Sequence, residues 1–172
     1  MSRVEVRSLL PGDARACDEI VRSLPYHFGD PTGVAECARS VRSDRGLVAS
    51  DGSSACAFVT WRSWFAVAYE IKWMAVRADR RGAGVGSALI EHLAALATDD
   101  EMAFVLVTTL SSSVPEPGVE DGYARTREFY AARGFLPTWE PAGWWDHTNQ
   151  AVLMVRPLAR AGLEHLERER KP

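Results

Sequence analysis

The segment "VRADRRGAGVGSALIEHLAAL", residues 76–96, sets three glycines (Gly82, Gly84, Gly86) in five positions, directly behind Arg80 and Arg81. An amphipathic run follows at once. A strand that ends in glycines and opens a helix makes an anion cradle. The first-turn amides point outward, the helix dipole adds partial positive charge, and a backbone without Cβ lets an oxyanion approach closely. Arg80 and Arg81 are candidate phosphate partners, and Ser87 either adds a hydroxyl to the cradle or caps the helix. Two nucleotide fingerprints fail. Gly86 is followed by Ser87-Ala88 and not by Lys, so this is no Walker loop. The spacing is G-x-G-x-G behind a run of hairpin strands, which does not fit the dinucleotide fingerprint of a parallel βαβ unit. The residues alone leave two readings: a phosphate-binding loop, or a tight strand-to-helix turn flanked by solvated arginines.

The surrounding pattern shows what must position this segment. "RVEVRSL" alternates as a strand; "LPGDARACDEIVRSL" follows as a helix, with Asp13 a candidate cap and Pro25 its stop. "YHFGDPTG" reads as a loop, and a short helix is expected over about residues 34–41. "GLVAS" and "ACAFVTWRSW", joined through Asp51-Gly52, read as a hairpin. The next strand, "AVAYEIKWMAV", leads into the glycines. Val85, Ala88, Leu89, His92, Leu93 and Leu96 then line one helix face, which makes His92 a core histidine. "MAFVLVTTL" reads as a strand buried on both faces, "YARTREFYAARGF" as a helix stopped at Gly134, and "GFLPTWE" and "QAVLMVRPL" as two closing strands. The order β-α-(α)-β-β-β-α-β-α-β-β describes one mixed α+β domain over residues 1–158, with a charged tail over 159–172.

The run Arg81, Gly82, Ala83, Gly84, Val85, Gly86 has the form R-x-x-G-x-G, and with the preceding "EIKWMAV" it resembles motif A of the GNAT N-acetyltransferases. "TREFYAARGFLPT" resembles the family's motif B, with Phe129-Tyr130 ahead of Gly134-Phe135, and "NQAVLMVRPL" resembles its last strand. The resemblance covers about residues 3–158. It implies a GNAT-like fold, with a mixed central sheet of about six to seven strands flanked by about four helices. It also implies that the amides of Arg81 through Gly86, with Ser87, hold the pyrophosphate of acetyl-CoA, while Met74, Ala75 and Val76 offer main-chain bonds to its pantetheine arm. Direct transfer to an amine needs a base for the amine proton and a donor for the departing thiolate. The resemblance points to Glu70 as the base and Tyr130 as the acid, with Tyr123 a weaker alternative. Against this stand a surface ion pair of Glu70 with Lys72, on the same strand face, and a merely packed Tyr130. Arg127 faces either the coenzyme or the surface.

Composition narrows the classes further. A net charge of −3 argues against a nucleic-acid coat or a polybasic membrane binder, and against an acetyltransferase that works on charged tRNA. No apolar run is long enough for a membrane span, and "MSRVEVRSLL" lacks a signal-peptide core, so a cytoplasmic protein is expected. Cys17, Cys37 and Cys56, odd in number and widely spaced, read as small buried residues, and no metal site is expected. The tryptophan clusters "WRSWF" and "GWWDHTN", with Asp30, Asp146 and His147, suit either an aromatic pocket for a small cationic amine or structural and dimer contacts. The expected acceptor is a primary amine of a small molecule, peptide or protein, and the resemblance admits a homodimer. The alternative is a non-catalytic acetyl-CoA-binding module. The presence of both Glu70 and Tyr130 favours the enzyme.

Overall fold

The computed structural model describes residues 4–52, 54–113, 123–143 and 150–158. The elements follow in the order β1 (Glu5–Ser8), α1 (Ala14–Arg22), α2 (Pro31–Ser43), β2 (Arg45–Ser50), β3 (Ala55–Trp64), β4 (Ala68–Val76), α3 (Val85–Asp99), β5 (Phe104–Leu110), α4 (Ala124–Ala131), β6 (Leu136–Trp139) and β7 (Ala151–Pro157). Among the described residues, seven strands of a mixed sheet and four α-helices make the α+β architecture that the resemblance implies. The tail 159–172 lies outside the described residues.

The chain divides into two compact units, residues 1–63 with 71–96, and residues 64–70 with 97–172. In the first, β1 pairs antiparallel with β2 from Glu5↔Ser50 to Ser8↔Leu47, and β2 pairs antiparallel with β3 through a register shift at Ala49/Ser50. Helices α1 and α2 bury Cys17, Ile20, Val21, Cys37 and Val41, joined by Leu24 from the connection between them, against Phe58 and Ala75, with Phe28 and Trp73 packed on that cluster. Each large side chain buried this way contributes about 1.5–3 kcal/mol. In the second unit, β7 runs antiparallel to both β5 and β6.

Several local expectations are revised. Helix α2 begins at Pro31, earlier than the apolar spacing suggests, because the Asp30 carboxylate accepts from the amides of Thr32 (3.2 Å) and Gly33 (2.7 Å) while Pro31 takes the first helical position. Asp30 is therefore engaged as a helix cap. Asp13 does not cap α1. It accepts from the Leu10 amide at 2.9 Å and from both terminal nitrogens of Arg7. In α3 the buried stripe is Val85, Leu89, Ile90, Leu93, Ala94 and Ala97, a face turned away from His92. His92 is exposed, with Nδ1 2.8 Å from the Ala88 carbonyl oxygen. Strand β5 is not buried on both faces. Val105, Val107 and Thr109 are buried, while Phe104, Leu106, Thr108 and Leu110 alternate with them half-buried, as the pleat dictates. Burial pushes the Cys17 and Cys37 thiols up to about 12, so both stay protonated and inert.

Candidate active site

The connection from β4 to α3 is fixed from both ends. The Arg77 amide donates to the Cys56 carbonyl at 2.9 Å, a short 3-10 turn covers Ala78–Arg80, and the first rung of the α3 ladder runs from the Ala88 amide to the Gly84 carbonyl at 3.0 Å. Amides ahead of that rung have no acceptor within the helix. Gly82 and Gly84 have φ of +78° and +80°, the left-handed region, whereas Gly86 is buried in the first turn of α3. A Cβ built on Gly82 or Gly84 would meet nothing within 4 Å, so the glycines there serve conformation and leave open space in front of the turn. An exposed turn ahead of the first rung of α3, with no Cβ at Gly82 or Gly84, fits a phosphate group.

The three arginines of this connection have different fates. Arg77 pairs with Asp79 at 2.6 Å and lies 3.9 Å from Asp51; Arg80 pairs with Asp51 and, at 3.0 Å, with Asp79. Hydrogen bonds from Arg80 and Arg77 hold the Asp51 and Asp79 carboxyls below the usual range. Arg81 is exposed and makes no ion pair among the described residues. Of the two arginines expected to serve phosphate, Arg80 is paired with carboxylates, while Arg81 stands exposed at the turn. Arg81 is also close enough to His27, in the α1–α2 connection, for its charge to add to burial in lowering that imidazole's affinity for a proton.

Along β4, Ala75 is buried in the core cluster, while Met74 and Val76 alternate to the other face and are half-buried. Met74–Val76 and Arg81–Ser87 therefore belong to one continuous strand–turn–helix in the first unit. Glu70 and Tyr130 belong to the second unit. Glu70 is half-buried and its Oε2 accepts from the Trp64 indole, while Lys72 is paired with Asp44 at 2.8 Å. Tyr130 lies on α4, 6% exposed, with its ring edge-on to Phe129 and Phe135 at 5.2 Å each. Burial pushes its phenol up, so the hydroxyl keeps its proton throughout the neutral range. Tyr123 stands at the N-terminal boundary of α4 and is half-buried. Arg127 donates to the Leu110 carbonyl at 2.9 Å, where β5 ends. Of the aromatic residues, Trp73 packs in the first-unit core, whereas Trp144, Trp145, Asp146 and His147 lie outside the described residues. Sequence reasoning missed Trp64 as the partner of Glu70 and Asp51 as the clamp on Arg80. "WRSWF" and the Asp51-Gly52 turn drew attention for other reasons, and only the fold joins them to these partners.

The acetyltransferase (GNAT) domain model matches residues 42–137, which include the glycine turn, Glu70 and Tyr130. Among solved structures, the chain is similar to the ribosomal-protein-S18-alanine N-acetyltransferase from Escherichia coli, with a TM-score of 0.73, 19% identity, and coverage of 93% of this chain and 97% of that one. It is similar to the aminoglycoside 6′-N-acetyltransferase from Enterococcus faecium at a TM-score of 0.70 and 13% identity, over 91% and 98% of the two chains. It is also similar to a GNAT family acetyltransferase from Elizabethkingia anophelis with acetyl-CoA bound, at a TM-score of 0.65 and 15% identity, over 90% and 98%. At these identities the likeness is one of fold. No curated protein matches the sequence. Because the domain model covers more than half of the 172 residues, the chain belongs to the GNAT acetyltransferase family.

Proposed function

We propose that the protein transfers the acetyl group of acetyl-CoA directly to a primary amine of a small molecule, peptide or protein. The observation that carries this reading is the exposed Gly82–Gly84 turn at the head of α3, directly after the exposed Arg81, inside the segment that the family model matches. Bound acetyl-CoA supplies an activated thioester. The amides of residues 81–87 and the Arg81 guanidinium hold its pyrophosphate, and the main chain of Met74, Ala75 and Val76 aligns its pantetheine arm. Glu70 takes the proton that an attacking amine must lose. Tyr130 keeps its proton, so it donates a hydrogen bond to the sulfur as charge develops there and does not exist as a phenolate at neutral pH. Support for an amine acceptor comes from the names of structural neighbours, which include enzymes for a ribosomal-protein alanine and for aminoglycosides.

Calorimetric titration with acetyl-CoA tests the cradle, with Gly84→Asp as the control. Binding by the wild type that is lost in the variant supports it, and a folded wild type that binds nothing sinks it. Release of CoA thiol with tryptamine, spermidine, kanamycin and an alanine-initiated peptide then locates the acceptor class. Binding without turnover in any of the four would favour the non-catalytic module.

A further inference from the structure

Trp64 ends β3 and Glu70 is the third residue of β4, on either side of the connection 65–67. The connection is tight: the Val67 amide donates to the Trp64 carbonyl at 3.3 Å. Its first residue, Phe65, has φ of +47°, a left-handed backbone that a bulky L-residue adopts only under strain. Burial does not explain the arrangement. Phe65 is 85% exposed and Trp64 37% exposed, with the two rings edge-on at 5.9 Å. Strained backbone that presents side chains to solvent marks a place shaped by a task other than packing. What the geometry achieves is the bond from the Trp64 Nε1–H to Glu70 Oε2. An indole nitrogen donates and cannot accept, so its partner in this bond is necessarily the carboxylate oxygen. A donor on a large planar ring, itself in contact with Phe65, fixes the rotation of that carboxylate and the direction in which it can take a proton.

We propose that Trp64 is a positioning residue for Glu70, acting through the hydrogen bond from its indole N–H to Glu70 Oε2; the inference rests on the reading of Glu70 as the base. Trp64→Phe deletes the N–H while keeping an aromatic ring at an exposed place, so the core is untouched. The first readout needs no acceptor. In the full-length protein the Trp64 indole ¹H–¹⁵N resonance, assigned by its disappearance in Trp64→Phe, shifts when Glu70 is replaced by Gln. An unmoved resonance overturns the proposal. The second readout uses whichever of tryptamine, spermidine, kanamycin and the alanine-initiated peptide turns over fastest. Trp64→Phe is expected to lose about tenfold to a hundredfold in kcat, with KM for the amine unchanged within about twofold. Trp64→His, whose ring restores a donor, recovers part of the loss. Wild-type kcat in Trp64→Phe, beside a slow Glu70→Gln, overturns the positioning role alone. Wild-type kcat in Glu70→Gln overturns the base reading beneath it.

Discussion

Asp51, in the turn between β2 and β3, holds the guanidinium of Arg80, whereas the adjacent Arg81 is exposed and makes no ion pair among the described residues. Arg80 ties the approach to the glycine turn back to the hairpin, and Arg81 is exposed directly ahead of the turn. Arg81→Ala is therefore expected to raise the Kd for acetyl-CoA by up to about fivefold with the melting temperature unchanged. Arg80→Ala is expected to do the reverse, lowering the melting temperature with a smaller effect on Kd. Calorimetry and thermal melts on the two variants decide this, and equal effects of both substitutions would refute the division.

Gly84→Ala isolates conformation from sterics. Open space faces the missing Cβ, so the substitution meets no clash, but φ of +80° costs an L-residue about 1–2 kcal/mol. Urea denaturation should show a loss of that size if the turn keeps its shape. A stability loss near zero would mean that the turn relaxes, and acetyl-CoA binding should then weaken instead.

Burial first, and the charge of Arg81 second, lower the proton affinity of His27 in the folded state. The unfolded imidazole takes its proton near pH 6.5. Below that pH the unfolded chain binds the proton more readily than the native one, so stability is full above about pH 6.5 and falls as the pH drops toward the native value. His27→Gln should flatten the stability profile between about pH 7 and pH 5.5, and Arg81→Ala should move the His27 NMR titration upward. A wild-type slope in His27→Gln would assign the effect elsewhere.

Asp30→Ala removes two hydrogen bonds to the first turn of α2 and should cost about 1 kcal/mol in denaturant melts. Turnover by the folded variant should stay at the wild-type level. A large rise in the KM of an amine acceptor would instead return Asp30 to the acceptor pocket that its place in the loop first suggests.

Tyr130→Phe removes one hydroxyl from a ring held by Phe129 and Phe135, so the melting temperature should change little. If the hydroxyl stabilises the departing thiolate, kcat should fall about a hundredfold. Because burial keeps the phenol protonated, wild-type activity should show no loss from its ionisation up to about pH 9. An unchanged kcat would leave Tyr130 as a packed aromatic.

The sequence by itself determined the element order and the glycine turn. The alternation in β1, the β-prone runs of β2 and β3 with the Asp51-Gly52 turn between them, the spacing Gly82-x-Gly84 and Gly134 as the stop of α4 are local codes, each set by neighbours a few residues away. The same locality misled where two codes overlapped. Asp30-Pro31 was legible as a cap followed by a first helical residue, yet the surrounding turn-formers read as a loop, and His92 sits at a spacing one step off the true buried stripe of α3. Tertiary structure alone decided the partners of the charges: Arg80 with Asp51, Lys72 with Asp44, Glu70 with the Trp64 indole. Two of these pairs span nearly thirty positions and the third crosses a hairpin. Ion pairs and hydrogen bonds depend on a few ångströms of separation, which chain spacing does not carry; only the folded strands bring those groups within reach.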